Sequence, residues 1–170
     1  YNQIPLAQSA EKTGNNSLAE EIYKKDIVNN SGGESTGGYV NFMLKQGKLA
    51  EVEKFVEENK GTDIETSIYG SILSNYFDAK NVEGMKKYSQ KLIDLEDESY
   101  KYEMGYAYYL EKNYSEATKN FLIAKKFPNF TQDSLYYLGM IEKEKGNMKE
   151  AKAYFLKVYE KEGNTVEIKQ

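Results

Sequence analysis

Hydrophobic and small residues recur along the chain at a helical spacing, and this recurrence is itself repeated. A glycine is followed twelve residues later by alanine, and four residues after that by phenylalanine. The set occurs twice, 34 residues apart: Gly105, Ala117, Phe121 and then Gly139, Ala151, Phe155. Since a fixed period of this length is the signature of a repeat architecture, we compared the rest of the chain with these two segments.

Weaker copies of the pattern lie upstream. The small or apolar residue that corresponds to Ala117 recurs at intervals of 33, 32, 33 and 34 residues, as Ala19, Val52, Gly84, Ala117 and Ala151. Five units of this length account for a chain of 170 residues. The pattern therefore predicts a single repeat domain with units at about 1–31, 33–60, 62–95, 98–131 and 132–165.

Each unit is predicted to form two amphipathic helices joined by a tight turn. In the fourth unit we expect helices over about 99–112 and 115–126, and in the fifth from residue 131 or 133 to about 146 and over about 148–161. Gly14, Gly47 and Gly146 fall between the two helices of their units, where glycine permits the positive φ of a tight turn. One hairpin cannot bury both of its faces, so neighbouring hairpins must stack into an all-α solenoid.

Small residues in the first helix and large ones in the second suggest how each hairpin closes. Gly105 and Gly139 would let the first helix approach the second closely, with Ala117 and Ala151 at the crossing. Phe121 and Phe155 would then fill the space between successive hairpins. The second unit is the least regular, because Gly37 and Gly38 each cost a helix interior about 1 kcal/mol. Its first helix is predicted to begin only at Tyr39, or to contain a hinge.

These residues resemble the tetratricopeptide repeat, whose pattern includes Leu-Gly, a tyrosine, and Ala-x3-Phe within 34 residues. The matching positions are Leu138, Gly139, Ala151 and Phe155 in the fifth unit and Gly105, Tyr108, Tyr114, Ala117, Phe121 and Ala124 in the fourth. The resemblance covers essentially the whole chain, although the family's tryptophan is absent and Lys101 replaces a usual apolar residue. It implies a right-handed α-solenoid that binds other proteins and has no enzymatic activity.

Composition narrows the chemistry that the chain can perform. It has no Cys and no His, and all 23 basic residues are Lys. We therefore expect no metal site, no cofactor and no catalytic centre, although a carboxylate pair assembled by the fold would be an alternative. The net charge is −4, so nucleic acid is not an expected partner. No apolar run approaches the roughly 20 residues of a membrane helix, so no transmembrane segment is expected.

Tyrosine provides the candidate binding site, since the chain contains 16 of them. Tyr102, Tyr106 and Tyr109 follow the i, i+4, i+7 spacing of one helix face, and the same phase selects residues in the third and fifth units. The candidate partner-binding residues are Tyr69, Tyr76, Phe77, Tyr102, Tyr106, Tyr109, Tyr136, Tyr137 and Met140. The resemblance implies that they line a concave face, where tyrosine suits the recognition of a peptide or protein. Simple packing between neighbouring helices is the alternative.

Two further hypotheses remain open. The chain could assemble with itself through its terminal repeats, or form part of a larger protein of the same type. Because the sequence begins at Tyr1 rather than Met, we expect a processed form or a part of a longer chain. The segment around Phe127 and Pro128 is similar to repeats of bacterial periplasmic proteins. That likeness favours the cell envelope over the cytoplasm, and it is an analogy of fold alone.

Overall fold

The computed structural model describes residues 3–163, and over this range the chain is all-helical, with no β-strand. The ten α-helices of this range are α1 (Ile4–Lys12), α2 (Asn16–Asn29), α3 (Ser35–Lys45), α4 (Leu49–Glu58), α5 (Asp63–Asp78), α6 (Val82–Leu95), α7 (Lys101–Leu110), α8 (Tyr114–Ala124), α9 (Thr131–Glu144) and α10 (Met148–Lys161). Single 3-10 turns, Glu98–Tyr100 and Pro128–Phe130, precede α7 and α9. Of the helices described, none is long and apolar enough to cross a membrane. The predicted all-α fold class is confirmed.

Two compact units divide the chain between Ala79 and Lys80. In the first unit, α1 packs on α2, and α2 packs on α3. Helix α3 packs on both α4 and α5, and α4 also contacts α5. In the second unit, α6, α7, α8 and α9 each pack on the helix that follows in the chain. Packing between neighbours in sequence is what stacked hairpins require. The continuous solenoid and its right-handed path stay predictions.

A shared turn joins the two helices in every predicted repeat. The predicted glycines Gly14, Gly47 and Gly146 lie in these turns with φ of 75°, 69° and 81°. Lys80 and Lys112 occupy the equivalent position in the third and fourth repeats, with φ of 52° and 59°. The expectation of a positive φ at the three glycines is confirmed, and two lysines adopt the same conformation without glycine's freedom.

An asparagine follows the positive-φ residue in four of these turns and caps the second helix in three of them. The side chains of Asn15, Asn81 and Asn113 accept hydrogen bonds from backbone N–H groups three residues later, at 3.3, 2.9 and 3.3 Å. Each bond satisfies one of the N–H groups that a helix start leaves without a partner. The local sequence thus specifies where each second helix begins.

Helix α3 begins at Ser35 and runs through both glycines, so the predicted start at Tyr39 is wrong. The reason is tertiary: a Cβ added to Gly38 would lie 2.9 Å from the ring of Tyr23, which packs against the helix at this point. The hydroxyl of Tyr23 donates a hydrogen bond to Glu11. Glycine at position 38 therefore admits a buried ring, and the packing of that ring offsets the helix cost.

The hairpins of the second unit close as the small residues predict. An added Cβ would lie 3.1 Å from the ring of Phe121 at Gly105 and 2.6 Å from the ring of Phe155 at Gly139. Phe121 is fully buried and also reaches the following hairpin, where its ring stacks on Tyr137 at 5.2 Å. Phe155 is only half-buried. Phe121 thus fills the space between hairpins, as predicted.

Candidate functional site

Five tyrosines of the second unit come together on α7 and α9. We call them the aromatic cluster: Tyr102, Tyr106, Tyr109, Tyr136 and Tyr137. Tyr137 lies at the centre, with its ring centroid 5.3 Å from Tyr106, 5.1 Å from Tyr109 and 5.4 Å from Tyr136. The structure therefore joins the predicted tyrosines of the fourth and fifth repeats into one contact network.

Helix periodicity and one buried ring position the aromatic cluster. On α7, Tyr102, Tyr106 and Tyr109 share one face because they follow the i, i+4, i+7 spacing. On α9, Tyr137 points toward that face and also rests on Phe121 of α8, with the two ring planes only 7° apart. The buried Phe121 thus supports the ring of Tyr137, which the other four tyrosines of the cluster contact.

Exposure varies in steps across the aromatic cluster. Tyr102 is buried, with 8% of its surface exposed, and stacks on Phe130 at 5.0 Å. Tyr106, Tyr109 and Tyr137 are half-buried, and Tyr136 is 44% exposed. The cluster therefore has an inner part that packs the two helices together and an outer edge that solvent reaches.

The pKa values of three hydroxyl groups in the aromatic cluster, those of Tyr102, Tyr109 and Tyr137, are raised, so these groups stay protonated at neutral pH. Burial, together with the charge and hydrogen bonding of Tyr106, raises the pKa of Tyr137 to about 12. Burial is also the main reason that the pKa of Tyr109 is raised, and Tyr114 and Glu144 add to it. Protonated phenols offer O–H donors and apolar ring faces, and they supply neither a nucleophile nor a base at pH 7. The surface is suited to binding.

Two carboxylates lie near the aromatic cluster on α9. Asp133 is in the first turn of the helix and Glu144 is its last residue, and both are exposed. The raised pKa of Tyr102 reflects burial first and then the negative charge of Asp133. Because Glu144 acts in the same way on Tyr109, the field at both ends of the cluster is negative.

A third carboxylate, Glu103 of α7, differs from these because the residue is half-buried and its Oε2 atom is inaccessible to solvent. Its Oε2 atom has no hydrogen-bond partner among the described residues. Desolvation raises the pKa of Glu103 to about 7. A group of this kind changes charge near neutral pH, but it lies about 100° around the helix from Tyr102 and outside the face formed by the cluster.

The remaining predicted site residues are divided between the two units. Met140 is half-buried on α9, on the same helix as Tyr136 and Tyr137. Tyr69, Tyr76 and Phe77 lie on α5 of the first unit. Tyr69 is 4% exposed, whereas Tyr76 and Phe77 are half-buried. That these three residues continue the same binding surface stays a prediction.

Sequence reasoning missed several residues of the site. Phe130 stacks on Tyr102 from a 3-10 turn, which has no periodic signal to place it. Tyr114 contacts Tyr109 at 6.0 Å from the start of α8. The two carboxylates were also overlooked, although their spacing from Tyr137 at i−4 and i+7 on one helix would have indicated them.

Comparison with known proteins adds no family assignment. No protein-family model matches this sequence, and no curated protein does. The resemblance to the tetratricopeptide repeat therefore stays a prediction from the residues quoted above.

Proposed function

We propose that this chain is a non-enzymatic protein-binding module of the tetratricopeptide-repeat type, in which the aromatic cluster holds a segment of a partner protein. The observation that carries the proposal is the graded exposure of the cluster. Its inner rings are anchored by Phe121 and Phe130, while Tyr136 remains 44% exposed. Rigid rings with an accessible edge are the usual anchors of protein recognition.

The physical advantage of such a surface is a low entropic cost of binding. A tyrosine has only two side-chain torsions, and those of Tyr109 and Tyr137 are already restricted by ring contacts of 5.1 Å. Little side-chain freedom remains to be lost when a partner docks, so more of the contact energy contributes to affinity. Tyrosine hydroxyls at the edge can donate hydrogen bonds to backbone carbonyls of the partner.

The test is affinity capture from an extract of the source organism, with three forms of the protein that circular dichroism shows to be equally helical. Wild type is compared with Tyr109→Ala/Tyr136→Ala and with a control, Leu6→Ala/Leu18→Ala. The control removes exposed apolar side chains, 56% and 42% accessible, from the first unit. We expect a partner that wild type and the control capture and the tyrosine variant loses. A partner retained by all three would refute the proposed site.

A second candidate function, assembly with further copies of the chain, is favoured by one observation on α10. Met148, Lys152, Phe155 and Leu156, together with the buried Ala151, line an apolar groove of about 260 Å³. Met148 is 62% exposed there, which is unusual for a large apolar side chain. Light scattering over a range of concentrations tests this candidate. A mass that rises with concentration for wild type and not for Met148→Glu would support it, and a constant monomer mass would exclude it.

A further inference from the structure

The arrangement of charge around the aromatic cluster indicates the chemistry of the partner. We propose that the face of α9 which carries Tyr137 binds an extended protein segment bearing two Lys or Arg side chains, one at each end of the cluster. This inference rests on the proposed function and makes it more specific. Three features of the residues described in the second unit support it: the helical phase of the carboxylates, their lack of ion-pair partners, and the absence of a lysine over the rings of Tyr109, Tyr136 and Tyr137.

The two carboxylates and the central ring share one stripe of α9. Asp133, Tyr137, Met140 and Glu144 follow the i, i+4, i+7, i+11 spacing, which keeps all four within roughly 60° around the helix axis. Over eleven residues a helix rises about 16 Å. The stripe therefore presents a negative charge, an apolar and aromatic middle, and a second negative charge.

Neither carboxylate forms an ion pair with any residue of the described range, 3–163. Glu116 and Glu142, on α8 and α9, by contrast pair with Lys119 and Lys145. Lys143 is next to Glu144 in sequence but lies about 100° around the helix from it, on a different face. The stripe thus keeps a charge that a cationic partner could neutralise.

The rings between the carboxylates also carry no cation from the described residues. Lys86 lies over the ring of Tyr108 at 5.5 Å and Lys157 over that of Tyr154 at 5.7 Å, both outside the cluster. Within residues 3–163, no lysine lies over Tyr109, Tyr136 or Tyr137. A cation over a tyrosine face is attracted by the negative charge density of the ring, and the neighbouring carboxylates strengthen that attraction. An acidic segment would be repelled by the same groups.

The distance between the carboxylates limits the spacing of the partner's charges. An extended chain advances about 3.3 Å per residue, so roughly five residues cover the 16 Å between them. The residues between the two cations would lie on Tyr137 and Met140. A cluster of adjacent lysines would satisfy only one end of the stripe, so spacing distinguishes this site from general attraction to an acidic protein.

The experiment is a selection from a display library of random dodecapeptides on the intact chain, followed by fluorescence anisotropy with the most enriched peptide. We expect the selected peptides to carry two Lys or Arg residues about five positions apart. The double substitution Asp133→Asn/Glu144→Gln should weaken the affinity of the chain for the selected peptide at least tenfold. The matched control Glu150→Gln/Glu160→Gln makes the same change of charge on exposed residues of α10 and should stay within twofold of wild type.

Each alternative outcome is decisive. If the selected peptides are neutral or acidic and bind less well to Tyr109→Ala/Tyr136→Ala, the proposed function stands and the cationic partner is wrong. If basic peptides bind the carboxylate variant and its control equally, the charges act elsewhere and the inference is overturned. If every selected peptide binds the tyrosine variant and the carboxylate variant as tightly as wild type, both the site and its specificity are refuted.

Discussion

Each of the two units contains a group of contacting aromatic rings, and the two groups differ in exposure. In the first unit, Tyr23, Tyr39, Phe42 and Phe55 are at most 6% exposed. Tyr39 and Phe55 meet edge to face at 5.5 Å, as rings in a packed core do. The rings of the second unit contact one another at similar distances, yet four of the five tyrosines remain at least partly accessible. Ring contacts alone therefore do not identify a binding site.

The polar groups that accompany the rings differ in the same way. In the first unit two of them are internally bonded: Tyr23 donates to Glu11, and Ser35 donates to the buried Asp26. In the second unit the carboxylates beside the cluster, Asp133 and Glu144, are exposed. Buried polar groups that have partners stabilise one arrangement of the fold, whereas exposed charges without internal partners remain available to another molecule.

The largest expected effect is on the free energy of unfolding, which should fall much more when a ring is removed from the first group than from the second. Tyr39→Ala should lower the free energy of unfolding by roughly 3–5 kcal/mol, because the ring is completely buried and leaves a cavity. Tyr136→Ala should cost less than about 1 kcal/mol, because almost half of its surface is already in water. Urea unfolding followed by circular dichroism measures both. Equal losses would mean that the rings of the second unit are core residues too.

The pH dependence of stability should reveal the half-buried Glu103. Its pKa is raised from 4.5 to about 7 in the folded state, so the folded chain holds a proton that the unfolded chain releases. This group therefore lowers the free energy of unfolding as pH rises through that interval. Glu103→Gln should be more stable than wild type by up to about 3 kcal/mol at pH 8 and no different below about pH 4.5. Urea unfolding at both pH values checks this, with the exposed Glu150→Gln as a control that should show no such change.

Substituting alanine for each of the two adjacent glycines in α3 should change the stability of the first unit in opposite directions. Gly38→Ala places a Cβ 2.9 Å from the ring of Tyr23 and should destabilise the first unit by about 1–3 kcal/mol. Gly37→Ala meets no atom within 4 Å and should stabilise it by up to about 1 kcal/mol through helix propensity. Thermal unfolding of the two variants compares them directly. Stabilisation by both would show that the Tyr23 ring is not held against the helix.

The smallest effect concerns hydroxyl groups in the first unit. The hydroxyl of Tyr39 is buried and has no hydrogen-bond partner among residues 3–163, so Tyr39→Phe should stabilise the chain by roughly 1 kcal/mol. Tyr23→Phe, which removes the bond to Glu11, should instead destabilise it by a similar amount. Urea unfolding of both variants provides the comparison. Destabilisation by Tyr39→Phe would indicate that the hydroxyl has a bonding partner after all.

Features controlled by neighbouring residues could be predicted from the sequence, and features controlled by distant contacts could not. The positive φ at Gly14, Gly47 and Gly146 follows from local turn chemistry. The start of α3 at Ser35 could not be predicted, because it depends on a tyrosine of another helix that packs on Gly38. In the same way, a shared face for Tyr102, Tyr106 and Tyr109 was predictable, but the burial of Tyr102 against Phe130 was not.

The sequence by itself determined the all-α class, the paired helices and the turns between them, because helix periodicity, caps and glycine turns act within a few residues. Only the tertiary structure decided which tyrosines are covered and which remain accessible. Exposure depends on which helix packs over a given face, and that contact joins residues far apart in the chain. Tyr69 and Tyr136 were predicted as equivalent members of one stripe, yet one is 4% and the other 44% exposed.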